Sequence, residues 1–494
     1  MFRTLAASLV LIGLTASARG QINFAPAVTY PAADQPGGGL LLDYDQDGDV
    51  DLLVSSRNDD ELVFLNNSGH GTFSAGPTVA LASGTNPEGI AAGDFDGDGQ
   101  TDLLVVLFGA DSVQLVQGGA GGFTPGATFA VGNEPSMIAA ADFDNDGHPD
   151  AAVNNRVSGD VSVLINDGRG GFEAAVSYAV GIETRCVAAA DFTGDGFPDL
   201  AVSARDSHLV RLFANDGSGF MVKVKDLSFG SLLEPEGVVF ADFDKDGKLD
   251  VAAASEGMAN QQHVSVFLQQ NGGNPWVGPI NGATGGLGPR GITAADFDAD
   301  GRVDAATSNA DSNNVSVLKN GGIGIFFLPV VYPTGPNPEV PQLLSGDLDG
   351  DGDVDIVSFN VDGDSVSVQL NGTTFCQEDL GHGGPGKSVL LACGDPLATG
   401  GTGFIQLLNA VPNTTAFLAV SLTQGAAPFK GGTLVPVPVL LLLTFTTDAA
   451  GEFLLPGVPG GGGPLAIYLQ CASVDAGQPQ GFALSNAVKL QLLP

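Results

Sequence analysis

Positive charge is scarce in this 494-residue sequence: 18 lysines and arginines stand against 56 aspartates and glutamates, a formal net charge of -38. That shortage argues against nucleic acid as a partner, since a phosphate backbone is held by clustered Lys and Arg. Histidine is as rare, and His70, His148, His208, His263 and His382 fall at unrelated positions with no evident partners. There is no H-E-x-x-H zinc helix, no G-x-S-x-G elbow and no G-x-x-x-x-G-K-[ST] phosphate loop, which removes the motif-based routes to a hydrolase or a nucleotide enzyme. Four cysteines are too few for a disulfide scaffold. Cys186 reads as a small buried apolar residue; Cys376 and Cys393, bracketing a Gly-rich loop, are the expected disulfide in an exported chain, with Cys471 left over. No stretch sustains a 3.6-residue period, and no apolar run reaches the ~20 residues that span a bilayer. Val435 to Phe445 comes near, but it contains Pro436 and Pro438 and reads as a core strand.

What the sequence has in quantity is glycine (72), scattered proline (29) and short apolar alternations. With 43% apolar residues and a mean hydropathy of +0.19, this is not an acidic disordered chain. The combination predicts an all-β fold with many tight turns. At the amino terminus, Met1-Phe2-Arg3 and the apolar run Leu5 to Ala16 have the form of a secretory signal peptide. Cleavage is expected after Ala18 or Gly20, so residues 1–20 are set aside and the mature protein is expected to be secreted, extracellular or periplasmic, and without a membrane span.

The acids are not scattered. Asp296-Phe297-Asp298-Ala299-Asp300-Gly301-Arg302-Val303-Asp304 is one of seven nine-residue loops with acids at positions 1, 3, 5 and 9 and glycine at position 6. The others hold Asp43, Asp45, Asp47 and Asp51; Asp94, Asp96, Asp98 and Asp102; Asp142, Asp144, Asp146 and Asp150; Asp191, Thr193, Asp195 and Asp199; Asp242, Asp244, Asp246 and Asp250; and Asp347, Asp349, Asp351 and Asp355. Hard oxygen ligands on one short loop suit calcium, which takes six to eight oxygens in irregular geometry. The glycine turns the backbone so that the carbonyl at position 7 also faces the ion: Asp49, Gln100, His148, Phe197, Lys248, Arg302 and Asp353. Positions 1, 3, 5 and 9 account for 27 of the 56 acids, and seven bound divalent ions would move the net charge from -38 to about -24. Thr193 trades a carboxylate for a hydroxyl, so the fourth site is expected to be the weakest.

The loops begin at intervals of 51, 48, 49, 51, 54 and 51 residues, a period that indicates a propeller. The third period shows the content of one blade: Met137 to Phe143 enters the loop, Ala151 to Val153 leaves it, Val161 to Ile165 alternates, and Phe172 to Val180 follows. Alanines in the first strand, such as Ala139 to Ala141, fit a crowded inner strand. Phe95, Phe143, Phe192, Phe243 and Phe297 at position 2, with Tyr44 and Leu348 as substitutes, are expected to pack between blades. The seventh period lacks a fourth strand, and Ile22 to Tyr30 resembles Phe172 to Tyr178 and Phe327 to Tyr332. The mature amino terminus is therefore expected to supply the outer strand of blade seven and close the ring. From Cys376 to Pro494 the acidic loops stop, and short apolar runs separated by Gly and Pro predict a small β-sandwich. The expected organisation is a signal peptide over 1–20, a seven-bladed propeller over 21–375 and a carboxy-terminal module over 376–494.

The pattern D-F-D-x-D-G-x-x-D, intact at Asp94 to Asp102, Asp142 to Asp150, Asp242 to Asp250 and Asp296 to Asp304, resembles the FG-GAP or VCBS-type repeat propellers, such as the heads of integrin α subunits. The resemblance covers roughly residues 22 to 375. It implies that each loop joins the first and second strands of its blade and binds calcium on one face of the disk, up to seven ions in all. The carboxy-terminal segment is similar to β-rich modules of exported bacterial proteins, which implies no activity. A ligand surface is expected on the opposite face, where Glu88, Arg185, Glu236 and Arg290 stand six residues before their loops and Arg57, Arg156, Arg205 and Asp206 occupy the other turn; ordinary solvated turn residues are the plainer reading. The expected function is a monomeric module that binds or adheres to an extracellular glycan or protein. A carbohydrate-active lyase or hydrolase and a purely structural protein are the alternatives, and no catalytic pair can be picked out of so many acids.

Overall fold

The computed structural model describes residues 22–257, 262–270, 275–322 and 324–372, together with the backbone of nine strands between residues 389 and 492. The signal-peptide segment and the Cys376–Cys393 pairing lie outside the described residues. Residues Met1–Asn371 and Gly372–Pro494 separate into two compact units.

The first unit is a seven-bladed β-propeller. Each blade is a four-stranded antiparallel sheet, and in blades one to six the strands follow sequence order. Blade one is Pro36–Leu42, Asp51–Ser56, Glu61–Asn67 and Phe73–Ala80. Blades two to six span 87–130, 135–179, 184–228, 233–283 and 289–333. The first strands of successive blades pack on one another around the axis, and the blade-seven first strand, Leu344–Gly346, returns to that of blade one.

The burial pattern explains why these residues fold this way. A second strand lies inside its own sheet and between two neighbouring blades, so both of its faces must be apolar or small. Leu52, Leu53 and Val54, like Leu103 to Val106, are at most 1% exposed, and every second strand places a short run of apolar or small residues directly after its first aspartate. The position 2 residues fill the gaps between blades. Phe95 is fully buried and meets Phe172 of blade three at 6.1 Å between ring centroids, while Phe243 meets Phe326 of blade six at 6.0 Å. Burying a side chain of this size contributes about 1.5–3 kcal/mol.

Ring closure follows the expectation. Val28–Pro31 is the outer strand of blade seven, antiparallel to Ser365–Gln369 with Val28 opposite Val368 and Tyr30 opposite Val366. Phe24 bridges to Asn371 as Phe172 does to Asn166 and Phe326 to Asn320, so the amino terminus repeats the outer element of an ordinary blade.

First strands of blades one to six carry a bulge, at Glu88–Gly89 in blade two and at the equivalent residues elsewhere. A bulge re-aims side chains, and these lie at the end of the strand away from the acidic loop.

The second unit contains nine strands in three antiparallel sheets: a three-stranded sheet, a four-stranded sheet and the hairpin Gln424–Phe429 with Gly432–Pro436. Strands Thr402–Leu408, Thr415–Ser421 and Leu465–Val474 coincide with apolar runs of the sequence.

Candidate metal centres and the opposite mouth

Each acidic loop joins the first and second strands of its blade, and its ninth residue begins the second strand. The position 6 glycines adopt φ between +82° and +98°, a region costly for any other residue. Their N–H groups donate to Oδ2 of the position 1 aspartate in all seven loops, at 2.7–3.2 Å. The N–H of position 7 donates to Oδ1 of position 5 at 2.8–3.1 Å. Aspartate suits both roles, because its short side chain folds back onto the backbone two to five residues on. In six loops the other oxygen of the position 1 aspartate also accepts a loop N–H, but each carboxylate oxygen has a second lone pair that can still face an ion.

Those oxygens converge. In blades one and two, Asp43, Asp45 and Asp51, and likewise Asp94, Asp96 and Asp102, each offer an oxygen within 4.8 Å of the others. In blades three, five and six the converging trios are Asp142, Asp144 and Asp146; Asp242, Asp244 and Asp246; and Asp296, Asp298 and Asp300. In these five blades positions 1 and 3 therefore meet position 9 twice and position 5 three times. In blade four Thr193 Oγ1 lies 3.4 Å from Asp191 Oδ1, which also accepts the N–H groups of Gly194 and Asp195. In blade seven burial, then the charge of Asp351, pushes Asp349 up to about 7.

The donor set fits a hard divalent cation, and two details mark where a cation belongs. In blade six the Lys319 ammonium sits against Asp298 and within 3.3 Å of Asp300, a resident positive charge among the loop's own carboxylates. In blade one, Asp43 Oδ1 is buried and accepts no hydrogen bond among the described residues.

Position 9 has a second employment that its spacing does not reveal. Asp51, Asp102, Asp150, Asp199, Asp250, Asp304 and Asp355 are at most 1% exposed. In blade three, Asp150 Oδ2 accepts the Phe143 N–H at 2.7 Å and Oδ1 accepts the Asn166 N–H at 2.7 Å. The same two bonds recur around the ring, with Thr193 as donor in blade four. This carboxylate clamps the loop to the end of the third strand, and in blades one and two it also joins the converging oxygens.

Burial, opposed by those backbone bonds, pushes Asp150 up to about 6, Asp250 and Asp304 to about 7 and Asp355 to about 8. A carboxyl whose pKa is higher folded than unfolded, where it is about 3.9, binds its proton more tightly in the folded state. Stability of the ion-free protein should then rise as pH falls across that window. Melting in chelator is expected at a higher temperature at pH 5.5 than at pH 8, the reverse of ordinary acid denaturation. A thermal scan at the two pH values checks it, and a lower melting temperature at pH 5.5 would contradict the assignment.

Sequence reading missed a set of asparagines. Asn67 and Asn215 end the third strands of their blades, Asn166, Asn320 and Asn371 lie two residues past theirs, and each donates through Nδ2 to the position 2 carbonyl of the preceding blade: Leu348, Phe95, Phe143, Phe243 and Phe297, at 2.7–3.0 Å. All are buried. The visible signal is an Asn sixteen residues after the ninth aspartate, within Asn-Asp-Gly in blades three and four.

At the other face the predicted glutamates and arginines come together, while Asp206 stands exposed. The bulges bring Glu88, Arg185, Glu236 and Arg290 to the axial mouth, where Arg57 meets Glu88 at 2.7 Å. Glu236, 2% exposed, receives Arg205 and Arg290, each at 2.8 Å, and Arg185 at 3.5 Å. Glu256 meets Arg290 at 2.5 Å, Glu234 meets Arg205 at 2.8 Å, and Arg156 pairs with Glu183 at 2.8 Å. These are mutually paired groups, not singly solvated turn residues. Burial raises the carboxyls of Glu88 and Glu236, against the pull of their arginines.

An FG-GAP-like repeat model matches residues 43–105, 142–202 and 191–253. No curated protein sequence matches the chain. Among solved structures, similarity is found to BBS1N in complex with ARL6DN, at 15% identity over 70% of this chain and 96% of that one, with a TM-score of 0.48. A protein from Lactobacillus plantarum is similar at 16% identity over 61% and 86% (TM-score 0.48), and the periplasmic gluconolactonase PpgL of Pseudomonas aeruginosa at 16% over 66% and 88% (TM-score 0.47). Likeness at this level says nothing about ligand or reaction.

Proposed function

We propose that this FG-GAP-repeat propeller is an exported binding module, braced by calcium in its acidic loops, that holds an extracellular glycan or protein at the mouth opposite those loops. One observation carries the reading: five of the ten arginines of a chain with net charge -38, Arg57, Arg156, Arg185, Arg205 and Arg290, gather around that mouth with carboxylates as partners. An otherwise acidic surface thereby gains a locally neutral patch rich in N–H donors and carboxylate acceptors, which suits the hydroxyl and carboxylate groups of glycans and proteins. The calcium reading rests on the hard-oxygen donor set and on the ammonium of Lys319 among the blade-six carboxylates. The ions serve as braces, far from the mouth. The carboxy-terminal unit is the accessory or attachment module, and the working form is a monomer.

A glycan array combined with a polysaccharide-degradation screen, each run with calcium and with chelator, tests this. Retention without turnover, lost in chelator, is the expected result, and release of product would favour a carbohydrate-active enzyme instead. Arg290→Ala is expected to weaken retention about tenfold, or ~1.4 kcal/mol. Neither retention nor turnover on any surface would leave the structural role.

A further inference from the structure

The seven joints between blades are not built alike. At five of them the asparagine ties join the loop face of one blade to the next. At the joints between blades one and two and between blades four and five, the residue that bonds the ninth aspartate is Gly118 or Gln269. Among the described residues no group donates to the position 2 carbonyls of Tyr44 and Phe192.

These two joints share a different device at the mouth. The second strand of the earlier blade carries Ser-x-Arg and the first strand of the later blade carries Pro-Glu-Gly: Ser55, Arg57 and Glu88 at one joint, Ser203, Arg205 and Glu236 at the other, each 148 residues on. Ser55 Oγ donates to the Glu88 carbonyl at 2.7 Å, and Ser203 Oγ to the Glu236 carbonyl at 2.5 Å. Arg57 and Arg205 then pair with the carboxylates of the same two glutamates at 2.7 and 2.8 Å. The joints between blades two and three, six and seven, and seven and one are the converse, with an asparagine tie on the loop face and no ion pair across the mouth among the described residues. A second observation agrees. Between blades four and five, on the loop face, there is a cavity of about 380 Å³ lined by Asp191, Phe192, Thr193, Lys248, Gln269 and Gln270.

We propose that the disk consists of two rigid arcs, blades two to four and blades five through seven to one, hinged at these two matched joints, which pivot on the Ser–Glu–Arg ties at the mouth and open on the face of the acidic loops. Within an arc, each loop is fixed to its neighbour by a buried amide, whereas across a hinge the loops move independently. The two hinges lie three blades apart in a ring of seven, so their opening bends the disk and leaves the ring closed.

Hydrogen exchange on the full chain, in calcium, tests the proposal. Backbone amides of residues 43–51, which face the first hinge, are expected to exchange about tenfold faster than those of residues 94–102, which face a tied joint. Asn166→Ala removes the side-chain tie at that joint, leaving the Gly170 N–H that also donates to the Phe95 carbonyl at 3.0 Å, and is expected to speed exchange in residues 94–102 about threefold. Arg57→Met is expected to speed exchange in Pro87–Gly93 at least about fivefold while leaving Pro135–Ala141 unchanged. Equal rates in the two wild-type loops, or an Asn166→Ala variant whose residues 94–102 do not change, would overturn it. Should Arg57→Met fail to fold, the wild-type comparison alone decides.

Discussion

In millimolar calcium the protein is expected to melt on the order of 20 °C above its melting temperature in chelator. The size follows from the number of sites. A ligand at a hundred times its dissociation constant adds about 2.7 kcal/mol per site, provided it does not bind the unfolded chain. Seven such sites would contribute roughly 19 kcal/mol. A propeller of this length has an unfolding entropy that makes each kcal/mol worth a little more than ~1 °C, less than in a small domain. Two loops should contribute less than the rest: blade four, where Thr193 replaces a carboxylate, and blade six, where the Lys319 ammonium already occupies part of the cluster. Differential scanning calorimetry in calcium and in chelator measures the shift directly. If the aspartates served only to fold their own loops, through the position 6 and position 7 N–H bonds seen in all seven, the two melting temperatures would coincide.

Chelation should also be felt as charge. Asp142, Asp144 and Asp146 converge to within 4.8 Å, and burial followed by the charge of Asp146 already raises Asp144 without any ion. Repulsion of this kind falls with ionic strength, so added salt should narrow the gap between the two melting temperatures by stabilising the ion-free form.

The acidic loops were legible because all their carboxylates lie within nine consecutive residues, where spacing alone states the pattern. The outer strand of blade seven was legible for a similar reason, since Ile22 to Tyr30 can be compared with Phe172 to Tyr178 and Phe327 to Tyr332. The asparagine ties were not. Asn166 lies sixteen residues from the aspartate it serves and 71 from the carbonyl it binds, and nothing local distinguishes it from a turn residue. The mouth was half legible: Glu88, Arg185, Glu236 and Arg290 recur at one offset, but their pairing depends on a bulge and on partners one blade away. The ninth aspartate looked like a fourth metal ligand from its spacing. Its burial on the first residue of a second strand also lets both oxygens accept backbone N–H groups, a second use that periodicity cannot reveal.

The second large effect belongs to the amino-terminal strand. Phe24 is 6% exposed and stands edge-on to Phe297 at 5.8 Å and to Tyr332 at 5.3 Å. It therefore fills the space between blades six and seven that Phe172 fills between blades two and three. Phe24→Ala is expected to lower the unfolding free energy by about 3–5 kcal/mol, the usual cost of removing a buried phenylalanine ring. Deleting residues 22–31 should cost more. It removes Ile22 and Phe24 from the core, and it strips the partner from Ser365–Gln369, whose residues are all at most 4% exposed. An unpaired apolar edge seeks another strand, so the deleted protein is expected to melt at least about 10 °C lower and to form oligomers by size-exclusion chromatography. The deletion leaves every acidic loop intact, and the difference between calcium and chelator should survive in whatever monomer remains. Loss of that difference together with the strand would mean that the loops depend on ring closure to hold their geometry, whereas an unchanged melting temperature would mean that the strand does not close the ring at all.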